Sequence, residues 1–373
     1  MNEKSEVYFT DFRAKPGYNL LQKLEKLIKK AGIDKINFEN NYVAIKLHFG
    51  EPGNLAFLRP NYAKVVADIV KELGGKPFLT DCNTLYVGGR KNALDHIDTA
   101  YLNGFTPFST GCNVIIADGI KGTDEELVEI NQKYVKTAKI GRSIMDADIF
   151  ISLSHFKGHE MTGFGGAIKN VGMGCGSRAG KMEMHSSGKP TVLENMCKKC
   201  RRCIKICAHN AISYNEDMIA HIEHKKCVGC GRCMGICNFD AIKSPNDSSG
   251  DILNMKMAEY AYAVVKDKPN FHISLICDVS PNCDCHGEND APIIPNIGML
   301  ASFDMVALDK ACVDLVNKQK PFNNSQLGEH LEKGISEHDN LHCNHPSTNW
   351  ESQIEYAKEI GLGNSEYELI VMK

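Results

Sequence analysis

The chain contains 373 residues, of which 43% are apolar and 24% are charged, and 43 Lys and Arg nearly balance 46 Asp and Glu. This composition is typical of a globular protein with a buried core, and it argues against a disordered or fibrous chain and against general binding to nucleic acids or membranes. Because no run approaches the ~18 apolar residues that span a bilayer and the first residues lack a secretory signal pattern, we expect a cytoplasmic location.

The N-terminal half alternates strand-like and helix-like segments. This alternation predicts an α/β fold with a largely parallel open sheet and helices on both of its faces. Strands are predicted where short apolar runs end at a polar residue, over residues 7–11, 42–48, 77–81, 113–118 and 149–155. One helix carries apolar residues at helical spacing from Leu20 to Ile28 and ends near Gly32, and a second helix begins at Pro60.

The alternation stops near residue 185 and resumes after residues 244–251, which have the composition of a linker. An insertion is the simplest explanation of this interruption. We therefore predict one α/β domain built from residues 1–188 and 248–373, with residues 189–247 as a separate inserted module.

The part of the chain after the insertion again shows α/β patterns. Residues 271–278 form an apolar run that predicts a strand, and residues 304–317 and 350–360 carry helical periodicity. Residues 367–372 predict an edge strand. The polar residues 319–349 predict an irregular surface segment.

Sixteen cysteines are the unusual feature of the composition, and in a reducing compartment they indicate metal ligation or catalysis before disulfides. Eight of them form two runs of the pattern C-x-x-C-x-x-C-x-x-x-C thirty residues apart, each followed by an Ala-Ile pair. This duplication resembles the two-cluster bacterial ferredoxin, in which the fourth cysteine of each run ligates the other cluster. By this resemblance one [4Fe-4S] cluster is assigned to Cys197, Cys200, Cys203 and Cys237, and a second to Cys227, Cys230, Cys233 and Cys207.

A pair of tetrahedral zinc sites is the alternative for these eight thiols. The spacing argues against it, because zinc ribbons separate two C-x-x-C pairs by a longer gap. The proline that usually follows the fourth cysteine of a ferredoxin run is replaced by Ala208 and Asn238. We expect ligation to survive this replacement, whereas the potential depends on solvent exposure and on hydrogen bonds to the sulfurs.

Basic residues outnumber acidic ones around the two runs: Lys198, Lys199, Arg201, Arg202, Lys205, Lys225, Lys226 and Arg232. Such a surface favours docking of an acidic electron donor or acceptor such as ferredoxin or flavodoxin. A solvated surface that offsets the charge of the clusters is the alternative. No nucleic-acid or membrane partner is expected.

Polar residues collect at the ends of the predicted strands, where open parallel sheets bind ligands. They are Asp11, Lys46, His48, Asp81, Cys82, Asp118, His155, Cys277 and Asp278. The recurrence of polar strand ends predicts a polar cleft at this edge of the sheet.

The segment 151–176 adds histidines, lysines and a glycine-rich stretch to this cleft. Its glycines and lysines predict a nest for a small anionic ligand, although the segment matches no standard nucleotide motif. The candidate catalytic residues are His155, Lys157 and His159. The candidate ligand-binding residues are Lys169, Asn170, Gly165, Gly166, His48, Asp81 and Asp278.

The chemistry of the cleft stays open at this point. His155 and His159, with Asp81 or Asp278, suit an additional metal ion, acid–base catalysis or structural hydrogen bonds. Four cysteines outside the two runs fall near the predicted strand ends and suit a thiophilic metal: Cys82, Cys277, Cys283 and Cys285. The isolated Cys112 is expected to be a small buried apolar residue, and the same holds for Cys312.

Three parts of the chain together carry a family resemblance: SHFKGHEMTGFGGAIKNVGMG, the ferredoxin-like insertion, and CDCHGENDAPIIPNIGMLASFDMVALDKACVDLV. They resemble the domain-of-unknown-function 362 family in its iron–sulfur form, over about residues 42–317. The resemblance implies an α/β domain interrupted by a two-cluster module and mostly anaerobic prokaryotic hosts, and it supplies no substrate. It places these residues on the family's motif positions: His155, Lys157, His159, Lys169, Asn170, Asp304 and Asp309.

Three functions are compatible with this sequence. The first is an iron–sulfur oxidoreductase in which two [4Fe-4S] clusters relay electrons to a ligand or metal site in the α/β cleft. The second is an electron carrier whose α/β domain only recognises a partner. The third is a non-redox enzyme that binds a metal or an anion and whose clusters are structural or sense oxygen.

Overall fold

The structure is a computed structural model that describes residues 4–86, 88–185, 189–207, 209–227, 233, 237, 239, 241–243, 250–335 and 339–372. Cys230, assigned above to the second cluster, lies outside the described residues, as do Ala208, Arg232 and Asn238. Within the described part of the chain, no helix is both long enough and apolar enough to cross a membrane.

An eight-stranded sheet forms the centre of the α/β fold. In spatial order its strands are β16 (Tyr367–Val371), β1 (Ser5–Asp11), β15 (Gly298–Ser302), β14 (Asn270–Ile276), β7 (Ile149–His155), β2 (Tyr42–Lys46), β3 (Lys76–Asp81) and β4 (Asn113–Ile116). The sheet is largely parallel, as predicted, because only β15 runs antiparallel to its two neighbours. β15 was not among the predicted strands, and its antiparallel direction arises from its pairing with β1 and β14.

Helices cover both faces of the sheet. In the described residues the helices are α1 (Leu20–Lys30), α2 (Pro60–Glu72), α3 (Ala93–Leu102), α4 (Pro107–Thr110), α5 (Arg142–Asp146), α6 (Ala167–Cys175), α7 (Arg178–His185), α8 (Arg202–Ile206), α9 (Gly250–Val265), α10 (Met305–Asn317), α11 (Gln326–Glu332), α12 (Asn340–Asn344) and α13 (Glu351–Glu359). Of these, α8 lies in the cysteine-rich segment. One apolar layer packs α1 and α2 against the sheet, and the other packs α6, α9 and α10 against the opposite face.

Local sequence explains where these elements begin. Asn19 forms a capping box with Gln22 at the start of α1, and Pro60 occupies the first turn of α2. Every residue of β7 is buried, because the strand lies inside the sheet with helices on both faces.

Residues 319–349 differ from the irregular surface segment predicted above. They include the two short helices α11 and α12, which are capped by the side chains of Ser325 and Asp339. Leu327 and Leu341 are buried in the apolar layer beside α10. The polar residues that suggested a loop therefore serve partly as helix caps.

The remaining strands form two-stranded antiparallel pairs: β5 (Glu125–Glu129) with β6 (Thr137–Gly141), β8 (Lys157–His159) with β9 (Gly163–Gly165), β10 (Thr191–Val192) with β13 (Ile242–Lys243), and β11 (Ile212–Tyr214) with β12 (Ala220–Ile222). The last two pairs lie in the cysteine-rich segment and are separate from the main sheet. Their apolar residues form a small cluster of their own, which contains Ile212, Ile222 and Ile242.

Candidate functional site

A cavity of about 660 Å³ opens at the carboxyl ends of the parallel strands. The chain reaches it directly after β2, after β3, through the β8–β9 pair and α6, and through the loop that follows β14. Eight of the predicted site residues line it: His48, Asp81, Lys157, His159, Gly165, Gly166, Lys169 and Asn170. Two predicted residues, His155 and Asp278, do not line this cavity.

His155 lies behind the cavity wall and is fully engaged there. Its Nδ1 is 2.9 Å from Asp284 Oδ2 and its Nε2 is 2.7 Å from the Cys277 carbonyl oxygen. A carboxylate and a carbonyl oxygen, which both accept hydrogen bonds, therefore occupy the two ring nitrogens. In this arrangement neither ring nitrogen of His155 faces the cavity.

Asp284 is the buried counter-charge for this part of the wall. Lys157 Nζ lies 3.0 Å from its Oδ2, the oxygen that also contacts His155. Burial opposes ionisation of the carboxyl, but His155 and Lys157 outweigh it and hold the pKa of Asp284 well below its usual range. Lys157 and His155 are thereby fixed by one carboxylate.

Asp278 and Cys277 lie on the side of the sheet away from the main cavity. Cys277 follows β14 in the apolar layer that contains Leu275, and Asp278 lines a smaller pocket there with Arg59 and Tyr62. Asp278 has a φ of 45°, so the chain turns sharply after β14. Only the residues beyond this turn enter the main cavity.

A buried network of charges connects the ends of β2 and β3. Lys46 Nζ lies 3.1 Å from Asp81 Oδ1 and donates to Asn170 Oδ1 at 2.8 Å. Arg90 binds Glu51 Oε2 at 2.9 Å and lies 3.3 Å from Asp81 Oδ2. Burial would raise the pKa of Asp81. The charges of Lys46 and Arg90 outweigh this effect, so the pKa falls below its usual value and the carboxylate stays charged.

Asn170 acts as a clamp between α6 and the sheet. Its Nδ2 donates to Ser154 Oγ at 3.0 Å, while its Oδ1 accepts from Lys46. Protein groups therefore occupy both ends of the amide, which orients α6 and leaves Lys169 to face the cavity.

The glycine-rich turn differs from the predicted anion nest. The first two amides of α6, those of Ala167 and Ile168, donate to the two carboxylate oxygens of Asp309 at 2.6 and 2.8 Å. A Cβ on Gly166 would overlap this carboxylate, so glycine is required by its close approach. An anion in the cavity would therefore contact side chains, because Asp309 already binds the amides of Ala167 and Ile168.

His159 presents a different face from His155. Its Nδ1 accepts hydrogen bonds from the amides of Met161 and Thr162 at 3.1 and 3.2 Å. Burial, together with the nearby Lys169, holds the pKa of His159 well below its usual value. The neutral ring therefore carries its proton on Nε2 and can donate it in a hydrogen bond.

Two thiols and a histidine form a compact group in the cavity wall. The donor atoms of His48, Cys283 and Cys285 all lie within 4.8 Å of one another, so this group is a candidate for binding a soft metal ion. Lys169 Nζ contacts Cys283 Sγ at 3.3 Å. The contact with Cys283 lowers the pKa of Cys285. Lys169 and His48 lower it further, whereas burial raises it, and the net shift is downward.

A second compact group consists of Asp339, His342 and Glu351. The ring nitrogens of His342 already face carboxylates, with Nδ1 2.8 Å from Asp339 Oδ2 and Nε2 3.3 Å from Glu351 Oε2. Asp339 also caps α12. These contacts join α12 to the start of α13.

The cysteine-rich segment brings together thiols from both runs. One small pocket is lined by Cys197, Cys200, Cys203 and Cys237. Burial and the neighbouring sulfurs raise the pKa of Cys203 to about 11, opposed by the Ile204 amide.

The segment contacts the wall of the cavity. Lys91 Nζ donates to the backbone carbonyl of Cys237 at 3.0 Å, and the preceding residue, Arg90, lines the cavity. One short stretch of chain therefore touches both the cavity and a cysteine of the second run.

Sequence reasoning missed several residues of this site, notably Arg90, Glu51 and Asp284. Arg90 and Glu51 lie in loops after β3 and β2, and their pairing depends on tertiary structure. Asp284 stands between Cys283 and Cys285 in the sequence, and this position beside two candidate cavity thiols is the signal that could have identified it.

Residues 43–314 match the model of the family described as Domain of unknown function (DUF362). A curated thylakoid-associated protein from Synechocystis sp. is 28% identical over 127 residues, which are 33% of this chain and 35% of that protein. The chain thus matches about a third of that relative's length.

Two solved structures resemble the chain at low similarity. The lactate racemase apoprotein from Thermoanaerobacterium thermosaccharolyticum has a TM-score of 0.43 and 11% identity, over 100% of this chain and 84% of that chain. A protein from Thermotoga maritima has a TM-score of 0.40 and 12% identity, over 79% of this chain and 57% of that chain.

Proposed function

The chain belongs to the family described as Domain of unknown function (DUF362), and we propose that it is an iron–sulfur oxidoreductase. In this proposal the inserted module, residues 189–247, holds two [4Fe-4S] clusters that pass electrons to a ligand in the strand-end cavity. One cluster is held by Cys197, Cys200, Cys203 and Cys237, and the other by Cys227, Cys230, Cys233 and Cys207.

The described thiols fit the first cluster. Three thiols of the first run share a pocket with Cys237 of the second run, which is the crosswise arrangement of two-cluster ferredoxins. The sulfur of Cys207 accepts a hydrogen bond from the Ala211 amide at 3.3 Å, and such bonds tune cluster potentials. The clusters would supply single electrons.

The contact between Lys91 and Cys237 carries the proposal of electron delivery. It fixes the fourth cysteine of the first cluster against the stretch that carries Arg90 into the cavity. The β10–β13 pair also joins the two ends of the module, with Val192 opposite Ile242. One contact within the module and one between the module and the cavity wall thus support electron delivery to the cavity.

Inside the cavity the side chains have separate roles. Lys169 and the Nε2–H of His159 are available to orient a small anionic ligand, whereas Lys157 and His155 are positioning residues held by Asp284. The network of Arg90, Lys46 and Asp81 fixes the opposite wall.

Metal and iron analysis of the anaerobically purified protein tests the cluster assignment. We expect about eight iron atoms per chain, because each cluster contains four. Cys237→Ser should lose about half of this iron and one of the two electron paramagnetic resonance signals seen on reduction. Cys112→Ser, a thiol outside both runs, should retain all of it. Zinc at about two per chain in place of iron would reject the proposal.

A further inference from the structure

Two thiols in the cavity wall are separated by one residue and touch each other. Cys283 Sγ and Cys285 Sγ lie 2.6 Å apart. Cys283 is buried, whereas Cys285 is partly exposed, and both line the cavity as free thiols. We propose that Cys283 and Cys285 form a dithiol–disulfide couple that reduces a low-molecular-weight disulfide entering the cavity.

The groups around the two sulfurs favour a thiolate. Lys169 Nζ lies 3.3 Å from Cys283 Sγ, and His48 Nε2 lies 3.6 Å from Cys285 Sγ. A cation and a hydrogen-bond donor stabilise the thiolate, which is the nucleophile in disulfide exchange. The more accessible Cys285 is therefore the attacking residue and the buried Cys283 is the resolving one.

The same contacts argue against a metal ion at this position. His48 Nδ1 accepts the Gly50 amide at 3.0 Å, so a neutral ring carries its proton on Nε2, the nitrogen that faces Cys285. A protonated nitrogen has no lone pair for a metal. In addition, the ammonium group of Lys169 lies 3.3 Å from Cys283 Sγ and repels a cation.

The reaction is a thiol–disulfide exchange. The Cys285 thiolate attacks one sulfur of the substrate R–S–S–R, which forms a mixed disulfide and releases RS⁻. The Cys283 thiol then attacks the Cys285 sulfur, and its proton leaves with the second RS⁻ as RSH. Two electrons and one proton restore the Cys283 thiol and the Cys285 thiolate. This regeneration rests on the proposed function, in which two one-electron clusters supply the electrons.

Equilibration with glutathione tests the couple. The anaerobic holoprotein is held in graded ratios of glutathione disulfide to glutathione, alkylated, digested and analysed by mass spectrometry. We expect the peptide that contains Cys283 and Cys285 to change from two alkyl groups to one internal disulfide. Lys169→Met should shift the midpoint ratio about tenfold toward disulfide, because the reduced form loses a stabilising cation.

Three variants distinguish the roles of the thiols. Cys283→Ser should stop at a mixed disulfide between glutathione and Cys285, whereas Cys285→Ser should give neither product. The control Cys112→Ser should give the same yield of internal disulfide as the unmodified protein.

Two results would overturn the couple. One is that both thiols remain alkylatable at the most oxidising ratio. The other is a soft metal ion at one per chain that is lost in both the Cys283→Ser and the Cys285→Ser proteins. Iron analysis separates this inference from the cluster assignment: disulfide formation in a protein without iron supports the couple and rejects the clusters, and full iron without disulfide rejects only the couple.

Discussion

Asp309 projects from α10 to the start of α6, where both of its carboxylate oxygens accept backbone amides. This single acid determines which groups of the glycine-rich turn remain available to a ligand. It satisfies the amides that a helix start would otherwise offer to a ligand, and it requires glycine at position 166. Recognition in the cavity therefore depends on side chains such as Lys169 and His159.

The same acid predicts a pH dependence of stability. Burial raises the pKa of Asp309 to about 7, although the amides of Ile168 and Ala167 oppose the shift. The folded protein therefore retains a proton that the unfolded chain, with a carboxyl pKa of 3.8, has lost. This contribution to stability is fully present below about pH 4 and is lost as the pH rises through about 7, by up to about 4 kcal/mol.

Urea unfolding of the unmodified protein and of Asp309→Asn measures this effect. The stability of the unmodified protein relative to Asp309→Asn should fall between about pH 4 and about pH 7, because asparagine does not titrate. A difference that stays constant over this range would contradict the raised pKa of Asp309.

At the scale of elements, α6 packs closely on two sides. A Cβ on Gly172 would overlap the Met257 carbonyl oxygen of α9, and a Cβ on Gly174 would overlap the ammonium group of Lys46. Small residues on α6 therefore allow the helix to lie close to α9 and to the end of β2. Met257 itself lines the cavity, so this packing also shapes the site.

Gly172→Ala tests the packing of α6 against α9. An alanine in an open helix position stabilises a protein by about 1 kcal/mol relative to glycine. Here the added methyl group must displace backbone, so we expect a loss of about 1–3 kcal/mol in the free energy of unfolding. Chemical denaturation gives the sign directly, and a stabilised variant would show that α9 does not approach as closely as described.

At the scale of the whole molecule, several strands and cavity residues could be predicted from the sequence. The strands β1, β2, β3 and β7 were predicted because each is a short apolar run that ends at a polar residue. Two of the eight predicted cavity residues, His48 and Asp81, follow from one rule about parallel strands, that their carboxyl ends meet at one edge. The other six were predicted from the histidines, lysines and glycines of segment 151–176. β15 was not predicted, and its antiparallel direction could not be read from a short apolar run because it depends on pairing with β1 and β14.

The remaining misses also depend on long-range contacts. Arg90 and Asp284 come from loops whose partners lie far away in sequence, as in the contact of Asp284 with Lys157. Asp278 was assigned to the cleft from its position after a strand, but it lines a pocket on the other side of the sheet, and only the residues after its positive-φ turn enter the main cavity. The rule predicts that a residue follows a strand, but it does not predict which side of the sheet that residue faces.

The distribution of charge over the molecule leads to a prediction about the electron partner. The chain as a whole has a net charge of −3, yet exposed basic residues surround the exposed Cys200, among them Lys198, Lys199, Arg201 and Arg202. We propose that an acidic ferredoxin or flavodoxin docks on this surface. Opposite charges accelerate association at low ionic strength, and salt screens them.

Charge reversal at this surface tests the docking. Lys198→Glu/Arg202→Glu should slow cluster reduction by a reduced flavodoxin about tenfold at low salt, and the difference should shrink at about 1 M salt, where screening acts over about 3 Å. Lys318→Glu/Lys320→Glu makes the same change in net charge at exposed lysines after α10, so it should leave the rate near that of the unmodified protein. Stopped-flow absorbance measures the rates, and iron content verifies that the clusters are intact. If both double variants are slowed equally, net charge rather than this surface controls association, because only a local docking site distinguishes the two pairs.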